Sequence, residues 1–129
     1  MPPFTAGDTL LIWEPSFQKA HLWFMLTDEY SEPPRVLAVM LRTRTRFTDD
    51  TVLLAPGDHP FIRHESAVHY STSCEFLVSA LSDWMASGTC HRRQRMSGAL
   101  LARVRKGLVD SVFSKNAYRD RWREEWGGQ

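Results

Sequence analysis

The apolar runs of the first 78 residues are all short, and each is stopped by a turn; no other feature limits the fold as much. Thr9 to Trp13 follows a Gly7-Asp8 turn and ends before Pro15. His21 to Thr27 is aromatic and aliphatic, as buried strands are. An acidic loop from Asp28 ends in Pro33-Pro34, and Val36 to Leu41 is again continuous and apolar. The polar turn Phe47-Thr48-Asp49-Asp50 leads into Thr51 to Leu54, which Pro56-Gly57 closes. Ser66 to Tyr70 and Cys74 to Val78 are two shorter strand candidates. Strands this short and this regularly interrupted predict a mostly antiparallel sheet curled into a small barrel.

The period then changes. Ser97 is a candidate N-cap, and Leu100, Leu101, Val104, Leu108 and Val112 recur at steps of three and four. That spacing predicts a helix over about 98–113, with Gly107 weakening and bending it. A shorter helix is expected over Leu77 to Ala86. Tyr118, Trp122 and Trp126 fall at steps of four, so on a helix they form one stripe, which is expected to dock on the body of the same chain. The expected class is α+β in a single domain of residues 1–129, with a barrel over about 6–78 and a helical part over about 79–126.

At 129 residues the chain is large enough for a hydrophobic core without staples. No apolar run reaches membrane-spanning length, and Met1-Pro2-Pro3-Phe4 has no signal-peptide pattern, so a cytoplasmic protein is expected. Cys74 and Cys90 show neither CxxC nor zinc-type spacing and are expected to be reduced. The formal net charge of +1 conceals a gradient. Residues 1–65 hold six Lys/Arg and nine Asp/Glu, whereas residues 66–129 hold ten and six. Residues 91–106 carry Arg92, Arg93, Arg95, Arg103, Arg105 and Lys106 with no acid. Such a cluster is either a footprint for a polyanion or a solvated helix face.

The densest chemistry lies in residues 57–70, which offer His59, His64 and His69 beside Arg63, Ser66 and Tyr70, with His21 on an earlier strand. Imidazoles move protons near neutral pH, but a single histidine beside aromatics is more often a packed, hydrogen-bonded residue. Asp58 is expected to form a turn, with Phe61 and Ile62 anchoring the loop in the core, which makes His59 structural and His64 the more exposed, proton-active member. Steps of five between the histidines fit neither one helical face nor one strand face, and no HExxH occurs, so no metal site is expected. GxxxxGK[ST], GxGxxG and GxSxG are also absent, and no cofactor is implied. Metal-free acid–base chemistry fits best. Cleaving RNA through its own 2′-hydroxyl requires a base, an acid and cations on the phosphorane oxygens. His21 with one of His59, His64 or His69, together with Arg42, Arg44 or Arg63, supplies those residue types.

The order of these features resembles the PemK/MazF family of toxin endoribonucleases, small SH3-like barrels with attached helices. The likeness begins with Gly7-Asp8 before an apolar strand. Lys19-Ala20-His21-Leu22 stands where the family has Gly-x-Arg-Pro, followed by a strand ending in Thr27. Val36 to Leu41 followed by Thr43, then Ser66-Ala67-Val68, then the Ser97–Phe113 helix complete it, over roughly residues 6–113. The departures are the family's catalytic arginine, replaced by His21, its glycine, replaced by Lys19, and its proline, replaced by Leu22; the segment 57–66 is foreign to the pattern. The resemblance implies a cytoplasmic, toxin-like, metal-independent endoribonuclease. His21 and His64 would exchange protons, Arg42 or Arg63 would stabilise the phosphorane, and Thr43 and Ser66 would orient the phosphate. Arg44, Arg92, Arg93, Arg95 and Arg103 would guide the RNA. It also implies a homodimer and a cognate inhibitor protein. The alternative is a non-catalytic module on the same barrel that binds nucleic acid or protein, including an antitoxin-type partner with the aromatic tail as its contact surface.

Overall fold

Side-chain alternation assigns each strand a face in the computed structural model, which describes residues 4–127. The signal-peptide reading at Met1–Pro3 therefore lies outside the described residues. The strands are β1 (Thr9–Glu14), β2 (Lys19–Met25), β3 (Arg35–Thr43), β4 (Leu53–Leu54), β5 (Ser66–Leu77) and β6 (Cys90–Arg93). They form one curled antiparallel sheet in the order β4-β5-β3-β2-β1-β6. The helices are α1 (Val78–Ala86), α2 (Gly98–Asp110) and α3 (Asn116–Trp126). The class is α+β, as expected.

Each face of the sheet is buried by different helices. Leu22, Phe24, Leu37, Val39, Leu41, Val68 and Tyr70 pack under Leu100, Val104 and Leu108 of α2 and Trp122 and Trp126 of α3. Leu10, Ile12, Met25, Val36 and Ala38 turn the other way, onto Val78 and Leu81 of α1. The aromatic stripe therefore docks within the chain. Trp122 and Trp126 stack at 4.5 Å, Arg105 lies over Trp126, and Arg121 lies over both Tyr30 and Trp122. So seated, the stripe is not offered as a contact surface.

The two strand candidates at 66–70 and 74–78 are halves of one strand. Ala38 faces Cys74 while Met40 faces His69, so five steps of β5 match two of β3. The extra residues form a bulge, which bends a strand and increases its twist. Local hydroxyls take the carbonyls there: Thr72 Oγ1 donates to His69 O and Ser73 Oγ to Tyr70 O. A strand also runs through Cys90–Arg93, inside the stretch read as helical, because it adds to the free edge of β1 by backbone pairing, with Cys90 buried in the core beside α1.

Ser97 caps α2 as expected, its hydroxyl accepting from Leu100 N–H at 3.1 Å. The helix stops at Asp110, three residues short of Phe113. Ser111 Oγ is drawn onto the buried Asp49 carboxylate at 2.6 Å and also accepts from Phe113 N–H, which turns the chain away and leaves Val112 82% exposed. The helix is unbroken through Gly107, which serves a close approach. A Cβ there would lie 2.0 Å from Tyr70 Oη and 2.5 Å from Val52 Cγ2. Tyr70 Oη meanwhile donates to Val104 O at 2.8 Å. Gly107→Ala must displace this buried tyrosine and should destabilise the protein by about 3 kcal/mol. Gly98→Ala, with open space around it, should be neutral or stabilise by up to about 0.5 kcal/mol. Urea denaturation of both variants checks the contrast.

Candidate functional site

The segment between β4 and β5 is fastened residue by residue. Asp58 Oδ2 accepts from Ala55 N–H at 2.8 Å, and Ala55 O accepts from Asp58 N–H at 3.0 Å, closing a turn through Gly57 at φ 104°. His59 follows and is 2% exposed. Its Nδ1 accepts from Phe61 N–H at 3.0 Å, so Nε2 carries the proton and donates to Gln94 O at 2.5 Å. The same carbonyl takes the hydroxyl of Thr9. Ile62 anchors in the core, but Phe61, expected to do the same, is 41% exposed and lies beside Arg93.

Across the gap, β6 is held by one buried carboxylate. Asp8 accepts from Thr5 N–H and binds both Arg92 and Arg95, and Arg95 also donates to Ala6 O at 2.8 Å. Between this wall, the 59–64 segment and the ends of β2 and β3 lies a concave cleft of about 1370 Å³. Its lining includes Lys19, His21, Arg42, Thr43, Phe61, Arg63, His64, Ser66, Arg92 and Arg93, and no aspartate or glutamate. The lining thus carries five cations, of which Arg92 is paired with Asp8, and no carboxylate, a balance that makes a local positive field the net charge does not disclose.

His64 Nε2 lies 2.9 Å from Thr43 Oγ1, and Ser66 Oγ donates to the His64 carbonyl at 3.0 Å. Thr43 and Ser66 are direct cross-strand partners, which explains why they serve the same histidine. His21 and Arg42 belong to the other face. Alternation places them with Trp23 and with His69, whose Nδ1 is 3.5 Å from Arg42 Nη1. They border the cleft where β2 and β3 part, since pairing ends at Trp23 and Met40. Among the described residues none bridges His21 to His64. Burial lowers the His21 pKa, helped by Lys19 and Arg42, against Glu14. Burial likewise lowers His69, helped by Arg42 and His21, against Asp49.

The arginines read as RNA contacts divide. Arg93 lines the cleft, and so does Arg92 while paired with Asp8 at 3.1 Å. Arg44 is engaged by Glu65 and Asp50 at 2.5 and 3.2 Å, Arg95 by Asp8, and Arg103 by Leu53 O at 3.0 Å and Asp58 at 3.7 Å. Lys19, Phe61 and Gln94 are among the lining residues that escaped the sequence reading of the site. Lys19 was legible, being two steps from His21 on one strand, whereas nothing marked Phe61 or Gln94.

Two expectations follow from this geometry. His59→Ala leaves the Phe61 N–H without its acceptor, takes one of two donors from the Gln94 carbonyl and empties a buried site, and should lose about 2–3 kcal/mol, whereas exposed His64→Ala should stay within about 0.5 kcal/mol of wild type. Thermal melts of the two variants decide between the roles. By NMR, His21 and His69 should titrate below the ordinary 6.5, and Arg42→Gln should raise both midpoints. Because these folded-state pKa values are depressed, the stability they contribute is present above pH 6.5 and lost as the pH falls through the folded value. Urea midpoints at about pH 7.5 and about pH 5.5 should therefore differ less in a His21→Gln/His69→Gln variant.

No family model, no curated protein and no solved structure matches the chain, so its function is argued from the cleft itself.

Proposed function

We propose that the cleft binds RNA and that the protein is a toxin-like, metal-independent endoribonuclease on an SH3-like barrel of the PemK/MazF kind. The observation that carries this is the lining: five cationic side chains and three imidazoles, His21, His64 and the buried His59, with no carboxylate. Phosphodiesters fit such a surface, and hard divalent cations find no carboxylate ligand on it. In the reaction the 2′-oxygen forms a bond to phosphorus as the bond to the 5′-oxygen breaks, giving a cyclic phosphate and a 5′-hydroxyl. A base takes the 2′ proton and an acid returns one to the leaving oxygen. His21, kept neutral near pH 7 by burial and by Lys19 and Arg42, suits the base. His64, its ring oriented by Thr43, suits the acid, and Arg42 and Arg63 stabilise the charge on the phosphorane. The scissile phosphate would occupy the opening between β2 and β3 that both imidazoles border. A homodimer and a cognate inhibitor belong to the same proposal, and light scattering that reports a monomer at micromolar concentration would count against the dimer.

One observation favours the rival reading, a module that binds nucleic acid without cleaving it. His21 and Thr43 stand on opposite faces of the sheet, and the two imidazoles share no contact. Incubation with a mixed-sequence RNA separates the two. Cleavage by wild type should persist in EDTA and follow a bell-shaped pH profile. It should fall about 10²–10⁴-fold in His21→Ala and in His64→Ala. Equal cleavage by all three proteins, or none by wild type, leaves the binding module.

A further inference from the structure

We infer that Phe61 and Arg93 form a stacking platform that holds one RNA base against the wall of the cleft. This deepens the RNA reading above and rests on it. Phe61 is 41% exposed although the chain on both sides of it is fixed, with His59 and Ile62 buried. Its own N–H is held by His59 Nδ1 at 3.0 Å, and His59 Nε2 is tied to Gln94 O, one residue beyond Arg93. The ring is therefore presented by a braced segment rather than by a loose one. Arg93 Cζ lies 5.8 Å from the ring centroid, and Arg93 has no carboxylate partner among the described residues. Both side chains line the cleft.

A nucleobase matches this pair in two ways. Its flat face covers an aromatic ring, and the guanidinium adds a cation–π contact and can reach the adjoining phosphate. Every base has such a face, so the platform contributes affinity and places the backbone without fixing the base identity. Arg63 and Lys19 lie in the same lining and are left for phosphates. The cleft thus divides its labour. The pair on the 61–93 wall grips a base, and the cations near the strand ends grip the chain's charge.

The test is fluorescence anisotropy with a labelled RNA of about eight nucleotides carrying 2′-O-methyl groups, which cannot be cleaved through the 2′-oxygen. Phe61→Ala should weaken binding about tenfold with an unchanged salt slope. Phe61→Trp should bind like wild type, and Phe61→Leu, apolar but without a π-face, should behave like alanine. Arg63→Ala should instead reduce the salt slope. An abasic strand of the same length should bind wild type and Phe61→Ala equally. Equal affinity of wild type and Phe61→Ala for the intact RNA would overturn the platform. An equal loss on the abasic strand would do so too, as would weakening that accompanies dissociation of a dimer in sedimentation. Folded wild type that binds neither strand would overturn the RNA reading itself, which is a separate result.

Discussion

The carbonyl of Gln94 is the point on which the arrangement of the cleft depends. It accepts from Thr9 Oγ1 on β1 and from His59 Nε2 on the 55–65 segment, and it directly follows β6. Buried polar groups are held firmly because an unmade hydrogen bond in a low-dielectric interior costs about 1–3 kcal/mol. His59 has both ring nitrogens engaged, so shifting the segment strands several polar atoms together. Asp8 does the corresponding work at the same end of β6, where it holds Arg92 and Arg95 on either side of Gln94. Two buried polar nodes, one neutral and one charged, thus fix the wall that carries Arg92 and Arg93.

Where the charges are engaged matters more than how many there are. The basic run at 91–106 looks like one patch in sequence, yet in the fold its members separate. Arg95 closes the Asp8 node, Arg103 and Arg105 donate to the carbonyls of Leu53 and Leu26, and Lys106 pairs with Asp110. Lining the cleft are Arg93 and the Asp8-paired Arg92, joined by Lys19, Arg42 and Arg63 from distant parts of the chain. The acids that could have neutralised that surface are occupied elsewhere, Glu65 and Asp50 on Arg44 and Asp58 in its own turn. The positive field is thus a product of tertiary placement.

This explains what the sequence could and could not disclose. The strands β1 to β3, the cap at Ser97, the turn at Asp58 and the docked tryptophan stripe were legible because each is a local pattern of period, cap or turn residue. The burial of His59 and the exposure of His64 follow from the same turn. β6 was not legible, since Cys90-His91-Arg92-Arg93 shows no apolar alternation and owes its conformation to the edge of β1. The bulge in β5 hid as a gap between two strands. Gly107 read as a weak spot in a helix because its neighbours Tyr70 and Val52 are distant in sequence. The same limit applied to the site: residue types and strand positions were visible, but the face each side chain takes depends on register.

That register ties the core to the cleft. A shift of one residue moves every side chain of a strand to the other face, so the faces of His21, Arg42, Thr43 and Ser66 are set by how β2, β3 and β5 align. The alignment of β3 with β5 is decided at the bulge, where Tyr70 enters the core and is locked between Val104 O and Gly107 of α2. Beyond the bulge the register runs without interruption from Met40–His69 to Thr43–Ser66, which delivers the two hydroxyls that hold His64. A tyrosine wedged under a helix thereby determines which groups the strand ends present to the cleft. The strain-free fit of that wedge, available only with glycine at position 107, belongs to the site as much as to the core.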